Sequence, residues 1–173
     1  CLNYQSLKKL RSLAFKIKID FICTPFDFES LKLVKKLKLD AIKIASSDIT
    51  DIPLLLEISK IKKPIILSTG MSNSKEIARA LKIINKKNVI ILHCVSLYPC
   101  DIKFANLNRI KALYKKFNLP IGYSDHCIGV NASIIAMTMG AKVIEKHFTL
   151  NKKKIGLDHA LSADPDDLKI ISD

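Results

Sequence analysis

The chain has no tryptophan and only five glycines among its 173 residues. No G-x-G-x-x-G run occurs, so the glycine turn that cradles a dinucleotide after a first strand is excluded. Arginine is nearly as scarce: Arg11, Arg79 and Arg109 are the only ones, so the net charge of +13 is a lysine excess. A basic surface is the electrostatic footprint of nucleic-acid binding. Here, however, the lysines lie on helical faces among isoleucines and asparagines, a composition closer to genomic base bias than to a built groove. The reading is a protein without a nucleic-acid partner, and a small anionic substrate suits the same charge. No apolar run reaches the roughly 20 residues that span a bilayer, and no leader pattern opens the chain. That points to a soluble, cytoplasmic protein with no membrane partner. Cysteine pairing is missing too: Cys1, Cys23, Cys94, Cys100 and Cys127 are odd in number and scattered, with no Cys-x-x-Cys. Reduced thiols that pack are expected, not a disulfide frame or a zinc knuckle.

What the chain does have is a 49% hydrophobic content, enough for one domain with a real core. Short β-rich runs recur at 19–27, 40–47, 64–70, 89–99, 120–126 and 142–148, each ending in polar or turn residues. Amphipathic stretches such as "ESLKLVKKL", "IPLLLEISKI", "SKEIARALKIINKK" and "NLNRIKALYKKF" separate them. Asn73 with Glu76, and Pro53 after Thr50 and Asp51, mark helix starts. The opening residues read as a helix already under way. Alternating β and α units fold as a parallel sheet, because a parallel return needs a crossover helix.

Polar residues at strand ends choose between architectures. A doubly wound sheet gathers its ligand groups at one switch point, whereas a (β/α)8 TIM barrel draws them from the carboxyl ends of many strands. Here Lys43 and Ser46, Ser68, His93 and Ser96, Ser124 and His126, and Glu145 and His147 all end predicted strands. An α/β fold of the (β/α)8 barrel class follows, incomplete at about six units where closure needs eight. Within "VIEKHFTL", side-chain alternation puts Glu145 and His147 on one face and Lys146 on the other.

The ordered segments "TPFD", "KIASSDI", "ILSTGMS", "LHCVSLYP", "GYSDH", "VIEKHFTL" and "LDHALSADP" resemble the sialic acid synthase family, which includes N-acetylneuraminate, legionaminate and pseudaminate synthases. The likeness runs from about Phe21 to Leu168. It implies strands three to eight of the family barrel in one partial domain over 1–173, without the first two strands or the C-terminal antifreeze-like domain. It also implies condensation of phosphoenolpyruvate with an N-acetylated amino sugar to a nine-carbon 2-keto acid, with release of phosphate. By resemblance His126 and His147 hold Mn2+ or Mg2+, and Glu145 is the acidic residue near the sugar and the reacting water. Lys43, Ser46, Ser68, Ser96 and Ser124 line the phosphoenolpyruvate site, and Lys43 joins Glu145 as a catalytic group. Tyr98 and Asp158 meet the amino sugar. Relatives form homodimers in which the C-terminal domain of one subunit covers the barrel of the other. The Asp-His pair at 158–159 fits the N-acetylneuraminate and legionaminate branches, while Leu157, Ala163 and Asp164 depart from the family pattern.

Simpler roles stand beside these. A histidine or serine ending a strand is ordinarily a hydrogen-bonded core residue or a turn former, and His93 is read that way. His159 is read as a loop residue that orders its neighbour, and Cys127 as packing. A lysine between Ile42 and Ile44 must leave the core or meet an anion. Backbone N–H groups where "STGMSNS" enters a helix offer a second anion site. Two other readings of the whole chain stay open: an inactive remnant of such a synthase with unpaired sheet edges, and a basic nucleic-acid-binding protein.

Overall fold

The strand Ala41–Ile44 (β2) is buried at every position, the signature of a parallel strand covered on both faces. It pairs in parallel with Ile22–Cys23 (β1) and with Ile65–Ser68 (β3). The structure, a computed structural model, describes residues 2–173; Cys1 lies outside the described residues. These divide into two compact units, one running up to Leu67 with Ser72–Val89, the other comprising Ser68–Met71 and Ile90–Asp173.

In the first unit, helices Tyr4–Lys16 (α1), Phe28–Leu37 (α2), Ile52–Ser59 (α3) and Ser74–Ile84 (α4) alternate with the strands. Ile42, Ile44, Leu54, Leu55, Ile58 and Ile77 form its core. The helix starts follow from local chemistry. Asp51 accepts from the Leu54 N–H, with Pro53 in the first turn. Asn73 accepts from the Lys75 and Glu76 N–H groups, and Glu76 returns a bond to the Asn73 N–H. That capping box corrects one expectation, since these first-turn donors are already taken and are not aimed at an anion. A second correction concerns the opening helix: α1 begins within the sequence, where Asn3 caps it by accepting from the Ser6 N–H.

Val89–Cys94 (β4), which belongs to the second unit from Ile90 onward, Ile121–Asp125 (β5) and Ile144–Lys146 (β6) are parallel and adjacent in chain order. Arg109–Phe117 (α5) and Asn131–Thr138 (α6) connect them, and Pro165–Ser172 (α7) follows. Gly122 sits at a close approach: a Cβ there would lie 2.5 Å from Leu92 Cδ2 and 2.5 Å from the Val143 carbonyl oxygen. Among the described residues no helix is long and apolar enough to cross a membrane.

Candidate active site

The β5–β6 ladder determines which side chains meet. Its register pairs Tyr123 with Ile144, Ser124 with Glu145 and Asp125 with Lys146. One step beyond, His126 stands in line with His147. Side chains alternate along each strand, so Ser124, His126, Glu145 and His147 share one face, while Asp125 and Lys146 take the other. The bonds agree. Ser124 Oγ donates to Glu145 Oε1 at 2.7 Å on the first face, and Lys146 Nζ donates to Asp125 Oδ2 at 3.0 Å on the second. The His126 and His147 ring centroids are 5.6 Å apart with planes inclined at 73°.

Each imidazole is oriented by what lies behind it. His126 Nδ1 donates to the Val95 carbonyl at 2.7 Å, which leaves Nε2 as the lone-pair nitrogen of the neutral ring. Burial holds this histidine below its usual pKa, with the neighbouring His147 acting in the same direction against the Val95 bond. Ser124 Oγ is 3.4 Å from Nε2, but its proton goes to the closer Glu145. His147 turns Nδ1 toward Asp158 Oδ2 at 3.5 Å, directing Nε2 away from that carboxylate. A carboxylate or carbonyl behind the distal nitrogen is the usual support of a metal-binding imidazole. Both backbones are braced as well, because the Cys100 N–H donates to the His126 carbonyl and the Ala163 N–H to the His147 carbonyl.

Two imidazoles on one face suit a divalent cation, whose bonds to nitrogen run about 2.1 Å. Among the described residues no group of three or more His, Cys, Asp or Glu side chains forms a metal cage. A cation held here would draw two nitrogen donors from the described residues, His126 and His147.

Of the other predicted residues of this unit, Tyr98 and Asp158 reach the pair. Tyr98 is 53% exposed and lies over His126 with centroids 4.0 Å apart, its ring also 5.8 Å from that of His147. Ser68 is buried at the end of β3, its Oγ without a hydrogen-bond partner. Ser96 is half-buried just after β4. Asp158 is carried by the loop after β6, which His159 pins: Thr149 Oγ1 and His159 Nδ1 are 2.7 Å apart, and Ser162 Oγ donates to the Asp158 carbonyl. The departures from the family pattern have local reasons. Ala163 serves through its backbone, whose carbonyl accepts from the Thr149 N–H, and Asp164 caps α7. Leu157 is 97% exposed. His93 is the core residue expected, its Nε2 donating to the Ala105 carbonyl at 2.8 Å. Cys127 is packing, buried against the Tyr123 hydroxyl with its thiol pushed up to about 12 by burial.

In the first unit Lys43 is only 8% exposed, within a fully buried strand, and Ser46 begins the 3-10 turn Ser46–Asp48 that follows β2. Sequence reading missed Asp48. Burial raises its carboxyl pKa while Lys43 pulls the other way, and Oδ2 is buried without a hydrogen-bond partner. It also missed the ion pair of Asp125 and Lys146; the alternation that sent Lys146 to the far face was the available signal.

The profile of the NeuB family matches residues 1–173. An N,N'-diacetyllegionaminic acid synthase of Campylobacter jejuni is 43% identical, covering 98% of this chain and 52% of its own length. A pseudaminic acid synthase of Helicobacter pylori is 38% identical over 90% of this chain and 47% of its own. The crystal structure of a sialic acid synthetase from Leptospira borgpetersenii, in complex with citrate, superposes with a TM-score of 0.94 at 38% identity, over 99% of this chain and 61% of that one. The likeness shows the fold to be α/β of the barrel class expected from strand-end chemistry, with six strands here. The chain spans about half the length of the curated relatives it matches.

Proposed function

The chain belongs to the NeuB family, and from that premise we propose that it carries part of the active site of a sialic-acid-type synthase. The relatives it resembles are synthases of legionaminic, pseudaminic and N-acetylneuraminic acids. The reaction is condensation of phosphoenolpyruvate with the open-chain aldehyde of an N-acetylated amino sugar, either N-acetylmannosamine or a 2,4-diacetamido-trideoxyhexose. A carbon–carbon bond forms between the enol carbon and the aldehyde, water adds to the former enol-ether carbon, and the C–O bond to phosphate breaks. The product is a nine-carbon 2-keto acid for surface glycan synthesis, made in the cytoplasm.

The observation that carries this reading is the His126–His147 pair, 5.6 Å between centroids, each ring backed by an oxygen on its distal nitrogen. His126 and His147 would hold Mn2+ or Mg2+, which when bound supplies Lewis acidity toward the sugar aldehyde. Glu145, fixed by Ser124, accepts the proton of the water that adds to the enolpyruvyl carbon. Tyr98 and Asp158 orient the sugar. Ser68 and Ser96 are assigned to the carboxylate and phosphate of phosphoenolpyruvate as hydroxyl donors, the resemblance gives Lys43 and Ser46 the same role, and Ser124, whose hydroxyl donates to Glu145, serves the site by fixing that carboxylate. A homodimer is proposed for the full-length protein.

Phosphate release from phosphoenolpyruvate with each sugar, measured on the complete reading frame with Mn2+ and after chelation, tests the proposal. Turnover should require the cation and fall at least 1000-fold in a His126→Ala, His147→Ala double variant, a loss on the order of 4 kcal/mol in the barrier. Metal-independent turnover, or full activity in the double variant, would refute the assignment.

A further inference from the structure

Behind the histidine face, β5 and β6 carry a pair of charges that the proposed chemistry does not use. Lys146 and Asp125 side chains are 5% and 0% exposed. Asp125 Oδ1 accepts from the Cys127 N–H at 2.8 Å, and its Oδ2 accepts from Ser133 Oγ on α6 at 2.7 Å and from Lys146 Nζ at 3.0 Å. Lys146 Nζ also donates to the Cys127 carbonyl at 2.7 Å. The residue before His147 thus grips both the residue before His126 and the residue after it. The bond to Cys127 lies beyond the last pair of the β5–β6 ladder, so ordinary sheet pairing does not account for it.

The geometry points to Asp125 and Lys146 as positioning residues, a buried clamp that fixes the strand register and with it the separation of the two imidazoles. This rests on the reading of those imidazoles as ligands of one cation. Burying two charges costs several kcal/mol each, and apolar residues of similar size often stabilise a fold as well or better, so stability alone is a poor reason for such a pair. Register is a better one. A slip of β6 by one residue would turn every side chain to the opposite face, carrying His147 out of the site. It would also strand a buried ammonium without its carboxylate, so the pair disfavours the slipped arrangement far more than a hydrophobic contact would.

Two variants separate positioning from stability. Lys146→Met leaves a buried carboxylate uncompensated and should lower both the thermal midpoint and Mn2+ affinity. Asp125→Asn with Lys146→Met removes both charges while Ser133 and the Cys127 N–H keep a polar partner, and should recover most of the midpoint. Mn2+ affinity, read on the full-length protein by electron paramagnetic resonance of the free aquo ion, should nonetheless stay 10- to 100-fold weaker in the double variant, roughly the range for lost second-sphere partners. Wild-type affinity in the refolded double variant overturns the inference while leaving the metal reading intact. If His126→Ala with His147→Ala binds Mn2+ as the wild type does, the metal reading fails and the inference goes with it.

Discussion

At Ser124 one proton has two acceptors within reach, Glu145 Oε1 at 2.7 Å and His126 Nε2 at 3.4 Å, and the shorter contact takes it. The imidazole nitrogen therefore keeps its lone pair, and the carboxylate is held in place. Ser124→Ala should loosen Glu145 and lower kcat by about 10- to 100-fold, the loss of a hydrogen bond to a charged group worth about 1.5–3 kcal/mol; steady-state kinetics on the full-length enzyme checks this. An unchanged kcat with a raised KM would instead assign Ser124 to substrate binding alone. The facing of Glu145 and His147 was legible in the sequence, because a strand alternates with period two whatever surrounds it. The fate of Lys146 was legible only in part. Alternation sent it to the far face, but that it lies buried there depends on Ser133 and on the Cys127 carbonyl, neither of which any local pattern reveals. Asp48 escaped for the same reason: nothing in "ASSD" tells that one of its oxygens is enclosed.

Elements were legible where their signals are local. The capping pair of α4 and the proline start of α3 stand in the structure as the sequence suggests. Strands proved shorter than the β-rich runs, β1 reduced to Ile22–Cys23, since a run of branched residues continues past the point where hydrogen-bond partners end. Helix α6 went unmarked because "NASIIAMT" is apolar around most of its circumference, with Ala132, Ser133 and Ala136 buried, and so has no amphipathic rhythm. The strand spacing also makes a prediction. Gly122→Ala must push a methyl group against the Val143 carbonyl oxygen and Leu92, which backbone cannot readily yield. A loss of about 1–3 kcal/mol is expected in denaturant unfolding, the usual cost of overpacking. Tolerance of the methyl without loss would mean that β6 moves aside, and Mn2+ affinity should then fall with it.

Over the whole molecule, two histidines connect stability to acidity. His93 and His126 are both held below the usual histidine pKa chiefly by burial, while the unfolded chain protonates near pH 6.5. The unfolded state therefore binds more protons just below that pH, and their contribution to stability is complete above it and declines as pH falls toward the folded values. With a chelator present, the thermal midpoint should drop between about pH 7 and about pH 5, and His93→Gln should flatten that slope; a level profile in the wild type would contradict the neutral, buried state of the rings. The barrel class was readable at this scale because polar residues recur at strand ends, whereas the grouping of residues into two compact units had no counterpart in composition or spacing. The register of β5 and β6 has a further consequence for how such a chain can change over generations. Asp-His and Lys-His behave as indivisible words: reversing the letters of either one would part the two charges, leaving one buried without its partner, and would carry an imidazole to the wrong face of the sheet.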